Sequence, residues 1–326
     1  MNDLTPHSQP RNPDDDSFNR LRPRLQGIAY RMLGAAAEAE DVVQDAWLRW
    51  HGTDRDSIDN TEAWLVSVTT RIAIDRLRSA KTQREHYVGT WLPEPLMDAP
   101  DDFGQHTPSP EQLLERADNL SVAFLTLLER LAPEARAAYL LREVFDADYA
   151  EVAEALGKSE QACRQIVHRA KAQLKDEKRP RQVVPHETHL KLLRGFADAA
   201  TRGEFAALKA MLAEEAQLVG DGGGFVPSFG RPLEGGQRIA QLYLALSLRH
   251  REGLRYEVVV LNGEWGLLRF VDGALESAQS LQTDGEHIVR IHSQRNPEKL
   301  ARIARMLGRE LHVVTNAVTN GEPGSS

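Results

Sequence analysis

A single cysteine in 326 residues leaves Cys163 without a partner, which excludes an intrachain disulfide and a thiolate metal cluster. Its place in a helical pattern makes it a small packing residue rather than a redox switch. No apolar run approaches about 18 residues and the first residues hold no apolar segment, so neither a membrane span nor a signal peptide is expected. The cytoplasm follows as the expected compartment. No motif calls for a metal or a cofactor. A net charge of −8 is the wrong sign for a protein that coats nucleic acid indiscriminately. Basic charge is instead concentrated. Residues 159–181 carry Arg164, Arg169, Lys171, Lys175, Lys178, Arg179 and Arg181 against Glu160, Asp176 and Glu177, a local net charge of +4.

The length and the 41% hydrophobic content allow two or three domains with their own cores. Residues 1–16 hold three prolines and Asp14, Asp15 and Asp16 with almost nothing apolar, which predicts a disordered tail. Helical periodicity marks a first domain over 17–86. Pro93, Pro95, Pro100, Pro108 and Pro110 make 87–110 an extended linker. A second helical domain spans 111–180 and closes on the charged KDEKRPRQ segment. A third spans 186–310, with helices at about 187–213 and 236–249. The turn pairs Asn262-Gly263, Asp272-Gly273 and Asp284-Gly285 then predict an antiparallel meander. Val258, Val260, Leu267, Phe270 and Val289 supply its apolar content, so the domain is α+β with helices covering one sheet. Residues 315–326 read as a second disordered tail.

The stretch YAEVAEALGKSEQACRQIVHRAKAQL, Tyr149 to Leu174, carries the most specific chemistry. Val152, Ala153 and Leu156 share one helical face, and Gly157 can take the positive φ that ends that helix. Ser159 caps a second helix. Ala162, Ile166, Ala170 and Leu174 are expected to face its core. That leaves Gln161, Arg164, Gln165, His168, Arg169 and Lys171 outside, side chains suited to base edges and phosphates.

In the first domain AEDVVQDAWLRW places Val43, Ala46, Trp47 and Trp50 on one face and Asp41, Gln44, Asp45 and Leu48 on the other. An acidic face with an exposed leucine suits a protein partner, although a solvated face explains the same pattern. The next helix begins at Thr61, read as its cap, and turns Trp64, Leu65, Val68 and Ile72 inward. Arg71, Arg76, Arg78, Lys81 and Arg84 follow, cations that suit phosphates or the helix C-terminus.

AEDVVQDAWLRW, EAWLVSVTTRIAIDRLRSAK and the Tyr149–Leu174 hairpin, in that order, resemble domains 2 and 4 of bacterial extracytoplasmic-function sigma factors. The resemblance covers roughly residues 17–180. It implies two all-α sigma domains, core RNA polymerase and promoter DNA as partners, and no catalysis. It also implies that Asp41, Gln44, Asp45 and Leu48 grip the polymerase. Arg71, Arg76, Arg78, Lys81 and Arg84 would then meet the −10 element, and the hairpin, Ser159 included, would read the −35 element. Two cationic modules on one tether grip two DNA segments more tightly than either alone.

WLPEPL, DGGGF and NPEKL are similar to three motifs of the sigma subfamily that carries a C-terminal SnoaL/NTF2-like cone domain. The resemblance implies that this domain adjusts the sigma core in cis. Trp91, Leu92, Pro93 and Pro95 have no core of their own in a linker. They are expected to dock on Asp221, Gly222, Gly223 and Gly224 and on Asn296, Pro297, Lys299 and Leu300. Locally, a plain turn accounts for the glycines and a helix start for Asn296-Pro297. Asp221, His287 and His292 keep open a small ligand or a cyclase or isomerase activity in the third domain. A helix-turn-helix regulator that never meets polymerase is the other alternative.

Overall fold

The computed structural model describes residues 13–54, 56, 58–84, 87–97, 120–175 and 184–313. Among the described residues seven helices come first: α1 (Pro13–Leu33), α2 (Ala36–His51), α3 (Thr61–Arg84), α4 (Val122–Leu128), α5 (Pro133–Glu143), α6 (Tyr149–Leu156) and α7 (Glu160–Lys175). The described residues up to Ser79 and those of Leu131–Gln173 form one compact unit, and the rest form a second.

In the first unit, α1 starts at Pro13, so the predicted tail of 1–16 runs too far, because proline is preorganised for a first helical position. Residues 1–12 of that tail lie outside the described residues. Gly34, at φ 69°, separates α1 from α2. The cap of α3 is Asn60, whose Oδ1 accepts the Ala63 N–H at 3.1 Å, and Thr61 is the first helical residue rather than the cap. Leu65, Val68 and Ile72 are buried as expected, but Trp64 and Trp47 stay half-exposed. Arg136 of α5 is 2% exposed and donates to the Met32 carbonyl at 2.7 Å, tying α5 to the end of α1.

The hairpin of α6 and α7 follows from its caps. Asp148 and Glu151 exchange backbone and side-chain hydrogen bonds at 2.8 Å in a capping box, and Gly157 takes φ 63° to end α6. Ser159 Oγ accepts the Ala162 N–H at 3.3 Å. The buried stripe of α7 is Cys163, Val167, Ala170 and Leu174, whereas Ala162 and Ile166 are only half-buried. The expected spacing of four drifts off a helix with 3.6 residues per turn, and alternating steps of four and three track the core. On α6 the buried residues are Val152 and Ala155, with Ala153 and Leu156 half-buried.

The second unit holds the sheet. Helices α8 (His186–Arg202), α9 (Phe205–Met211), α10 (Gly236–Arg249) and α11 (Pro297–Leu307) accompany six strands, β1 (Leu212–Asp221), β2 (Leu233–Glu234), β3 (Leu254–Leu261), β4 (Glu264–Val271), β5 (Ala274–Thr283) and β6 (Ile288–Gln294). Their order is β2-β1-β6-β5-β4-β3. The predicted meander is β3 to β6, and Asn262-Gly263 and Asp272-Gly273 turn with φ of 53°, 78°, 52° and 82°. One feature differs from the sequence reading. The helix expected over 187–213 breaks at Gly203, φ 70°, where a Cβ would meet Ser247. Its last residues open strand β1, which pairs parallel with β6. Helices cover the sheet on both faces. Leu193, Phe196, Ile239 and Tyr243 pack on one side against Leu218, Leu267, Leu281 and Ile291. Leu300, Ile303 and Ala304 of α11 pack on the other against Leu261, Leu268, Phe270 and Leu275. Among the described residues no helix is long and apolar enough to cross a membrane.

Candidate nucleic-acid interface and linker lock

The exposed side of α7 presents Gln161, Arg164, Gln165, His168, Arg169 and Lys171. With Tyr149 and Val167, five of these six line a shallow concavity of about 440 Å³. Two cations already have anionic neighbours: Arg164 reaches Glu160 at 2.9 Å and Lys171 reaches Glu143 at 2.6 Å. Both pairs are open to solvent, where such pairs are worth about 0–1 kcal/mol, so phosphates can displace them.

On α3 the predicted cations divide by partner. Arg76 reaches Asp45 at 2.6 Å and Asp41 at 3.4 Å, joining a residue expected to meet DNA to two expected to grip the polymerase. Arg78 reaches Glu134 at 2.7 Å, and Lys158 shares that carboxylate at 3.1 Å. Arg71 donates through Nε to the Ala155 carbonyl at 3.1 Å and through Nη2 to that of Glu154 at 2.6 Å. These are C-terminal carbonyls of α6, which a guanidinium satisfies well. In this arrangement Arg71 serves the hairpin rather than standing open to DNA. The side chains of Lys81 and Arg84 lie outside the described residues. On α2, Asp41 and Gln44 are exposed and Leu48 is 56% exposed, a surface on which Arg76 pairs with Asp41 and Asp45.

A different kind of site sits where the linker meets the sheet. Asp221 closes β1 with no exposed surface, and five donors converge on its carboxylate. Oδ1 accepts from Tyr87 Oη at 2.6 Å and Gly223 N at 3.0 Å. Oδ2 accepts from Leu92 N at 2.9 Å, Gln294 Nε2 at 3.1 Å and Lys299 Nζ at 2.7 Å. Lys299 Nζ also reaches the Leu92 carbonyl at 2.6 Å and lies 4.4 Å from the Trp91 ring centroid. Burial, then the Asp221 hydrogen bond, raises the Tyr87 phenol above its ordinary value.

Leu92, Pro93 and Pro95 are buried. Leu96 exchanges hydrogen bonds with Asn262 at 2.8 and 3.0 Å, and Met97 packs against the α11 face. The expected extended linker is therefore a pinned segment over 87–97. Pro100, Pro108 and Pro110 lie outside the described residues. Asn296 caps α11 through Glu298 N at 2.9 Å and also donates to Tyr87 Oη at 3.1 Å. Pro297 takes the first helical position and Leu300 is core. The glycines are crowded rather than merely turned. A Cβ on Gly222 would collide with the Val226 carbonyl, and one on Gly223 with the Asn296 amide. Gly224 faces Val88.

Sequence reasoning missed Tyr87, Gln294, Arg295 and Glu276. Arg295 donates to the Pro227 carbonyl and pairs with Glu276 at 2.6 Å, and Glu276 also holds Arg269. Burial works to raise the Glu276 carboxyl, but the two guanidiniums outweigh it and hold it at about 2. Of the other titratable candidates, His292 is 3% exposed with Nδ1 unpartnered among the described residues, and burial lowers it to about 3. His287 precedes β6, at the opposite end of that strand from Asp221. Asp221, with five donors on it, has no lone pair left over for a base.

Family models match twice, Sigma-70 region 2 over residues 18–83 and Sigma-70, region 4 over residues 121–174. The chain is 35% identical to the ECF RNA polymerase sigma factor SigJ of Mycobacterium tuberculosis, over 76% of this chain and 78% of that one. A probable ECF RNA polymerase sigma factor of the same species, SigI, is 28% identical over 91% of this chain and 98% of its own length. The crystal structure of the M. tuberculosis extracytoplasmic function sigma factor SigJ superposes with a TM-score of 0.68 at 29% identity, covering 88% of this chain and 98% of that one. With two helical sigma regions and a C-terminal mixed-sheet domain, the chain belongs to the extracytoplasmic-function sigma factors of RNA polymerase.

Proposed function

We propose that the C-terminal domain of this sigma factor adjusts promoter use by holding the interdomain linker. The sigma factor binds core RNA polymerase and directs promoter-specific transcription initiation. In this reading Asp41, Gln44, Asp45 and Leu48 grip the polymerase, Arg76 and Arg78 contribute to −10 binding, and α7 reads the −35 element. The observation that supports the regulatory part is the buried Asp221 carboxylate, which accepts hydrogen bonds from both Tyr87 and Leu92 of the linker. A segment fixed at that depth limits how the flanking sigma regions can be placed on DNA.

The test is in vitro transcription with purified core enzyme, comparing the full chain with Leu92→Ala and with Asp41→Ala/Asp45→Ala. Loosening the linker is expected to change promoter output with core affinity unchanged. Removing both acids is expected to weaken core binding about tenfold, which is about 1.4 kcal/mol. Unchanged output from Leu92→Ala with the lock demonstrably open would overturn the regulatory reading. Unchanged core affinity of the double variant would overturn the assignment of α2.

A further inference from the structure

The first residue of α6 is not among the side chains assigned to DNA, yet it touches the one best suited to base reading. The Arg164 guanidinium lies over the Tyr149 ring, 4.2 Å from its centroid, and Arg142 lies over the same ring at 5.1 Å. Arg142 is itself anchored by a 3.0 Å hydrogen bond to the Ala147 carbonyl. The capping box of Asp148 and Glu151 fixes the first turn of α6 and therefore the place from which Tyr149 projects. Tyr149 and Arg164 both line the concavity on the reading face.

We propose that Tyr149 is a positioning residue for base selection, holding the Arg164 guanidinium in the plane from which it reads the −35 element. This rests on the assignment of α7 as the −35 reader. An arginine discriminates guanine by two parallel N–H donors aimed at O6 and N7, so its plane must match that of the base edge. A free arginine side chain samples many rotamers and loses that freedom on binding. Stacking on Tyr149 and the pair with Glu160 at 2.9 Å limit this freedom before DNA arrives. With its side chain still 58% exposed, Arg164 keeps donors open to a base. The hydroxyl of Tyr149 is not required, because the contact uses the ring face.

The experiment measures relative binding of holoenzyme, full chain plus core polymerase, across a promoter library randomised through the −35 box. Tyr149→Phe is expected to retain the wild-type preference profile. Tyr149→Leu is expected to flatten preference about fivefold at one base pair, the same one that Arg164→Ala flattens, and the double variant is expected to add nothing. A Tyr149→Leu profile of unchanged shape, whether total binding is kept or uniformly reduced, overturns the proposal. So does flattening at a base pair other than that of Arg164. If Tyr149→Leu does not fold, Tyr149→Gln, which also lacks a ring, is judged by the same profile. If Arg164→Ala leaves every −35 preference intact, the assignment of α7 fails, and that result is distinct from a failure of Tyr149 alone.

Discussion

The Asp221 cluster and the face of α7 are both polar and both hold ion pairs, but one is dry and the other wet. Asp221 has no exposed surface and five donors, so each missing partner leaves charge or dipole stranded away from water. Arg164 and Lys171 are at least half-exposed beside Glu160 and Glu143, and water replaces whatever is removed. The dry cluster is therefore a structural joint with a narrow tolerance. The wet one is a surface whose cations can change partner, as an interface for DNA requires.

The contrast is broken most directly at its centre. Asp221→Ala removes the buried carboxylate that neutralises Lys299 and leaves its other donors short of an acceptor, and is expected to cost about 3–5 kcal/mol, read as a lowered denaturant midpoint. A loss below about 1 kcal/mol would make the lock an ordinary surface contact. Next comes Gly223→Ala, which combines a φ of 62° with a collision at Asn296. A loss of about 1–3 kcal/mol is expected, together with faster amide exchange in residues 87–97.

The third test uses acid. His292 is held neutral to about pH 3 in the folded state, whereas the unfolded chain takes up that proton near 6.5. Stability is therefore complete above 6.5 and falls as the pH drops, with a slope of at most about 1.4 kcal/mol per unit. Between 6.5 and 4.5 the depressed Glu276 carboxyl adds little, since its own loss begins below 4.5. His292→Leu is expected to flatten the slope of thermal midpoint against pH in that window. The smallest effect belongs to the wet surface. Glu160→Gln should change stability by less than about 0.5 kcal/mol and weaken further at high salt.

What the sequence revealed depended on whether the cause was local. Asn262-Gly263 and Asp272-Gly273 name their turns because only a few residue types accept positive φ, and both strands and register follow from them. Asn296-Pro297 announced a helix start because an asparagine side chain caps the first free N–H groups and proline is preorganised for the first helical position. Strand β1 stayed hidden because Ala213, Glu214, Glu215 and Ala216 favour helix, and pairing of the flanking Leu212 and residues 217–221 with β6 overrides that preference. The exposed face of α7 was legible to within a third of a turn. Partners were not. Tyr87 lies 134 positions from Asp221 and Arg71 lies 84 from Ala155, and no local pattern encodes such meetings. The linker–domain contact was suggested by three short motifs, but Gln294 and Tyr87, which complete it, belong to none of them.

The crowding at Gly222 and Gly223 reaches into how this chain can diverge. Spacer and sheet domain are mated parts, because the tolerance between backbone and Asn296, and between the Asp221 carboxylate and Tyr87, is already used up. A chimera that inherits a sheet domain from one ancestor and a spacer from another would carry a carboxylate with too few donors. The two segments must therefore be inherited, exchanged and redesigned as a pair.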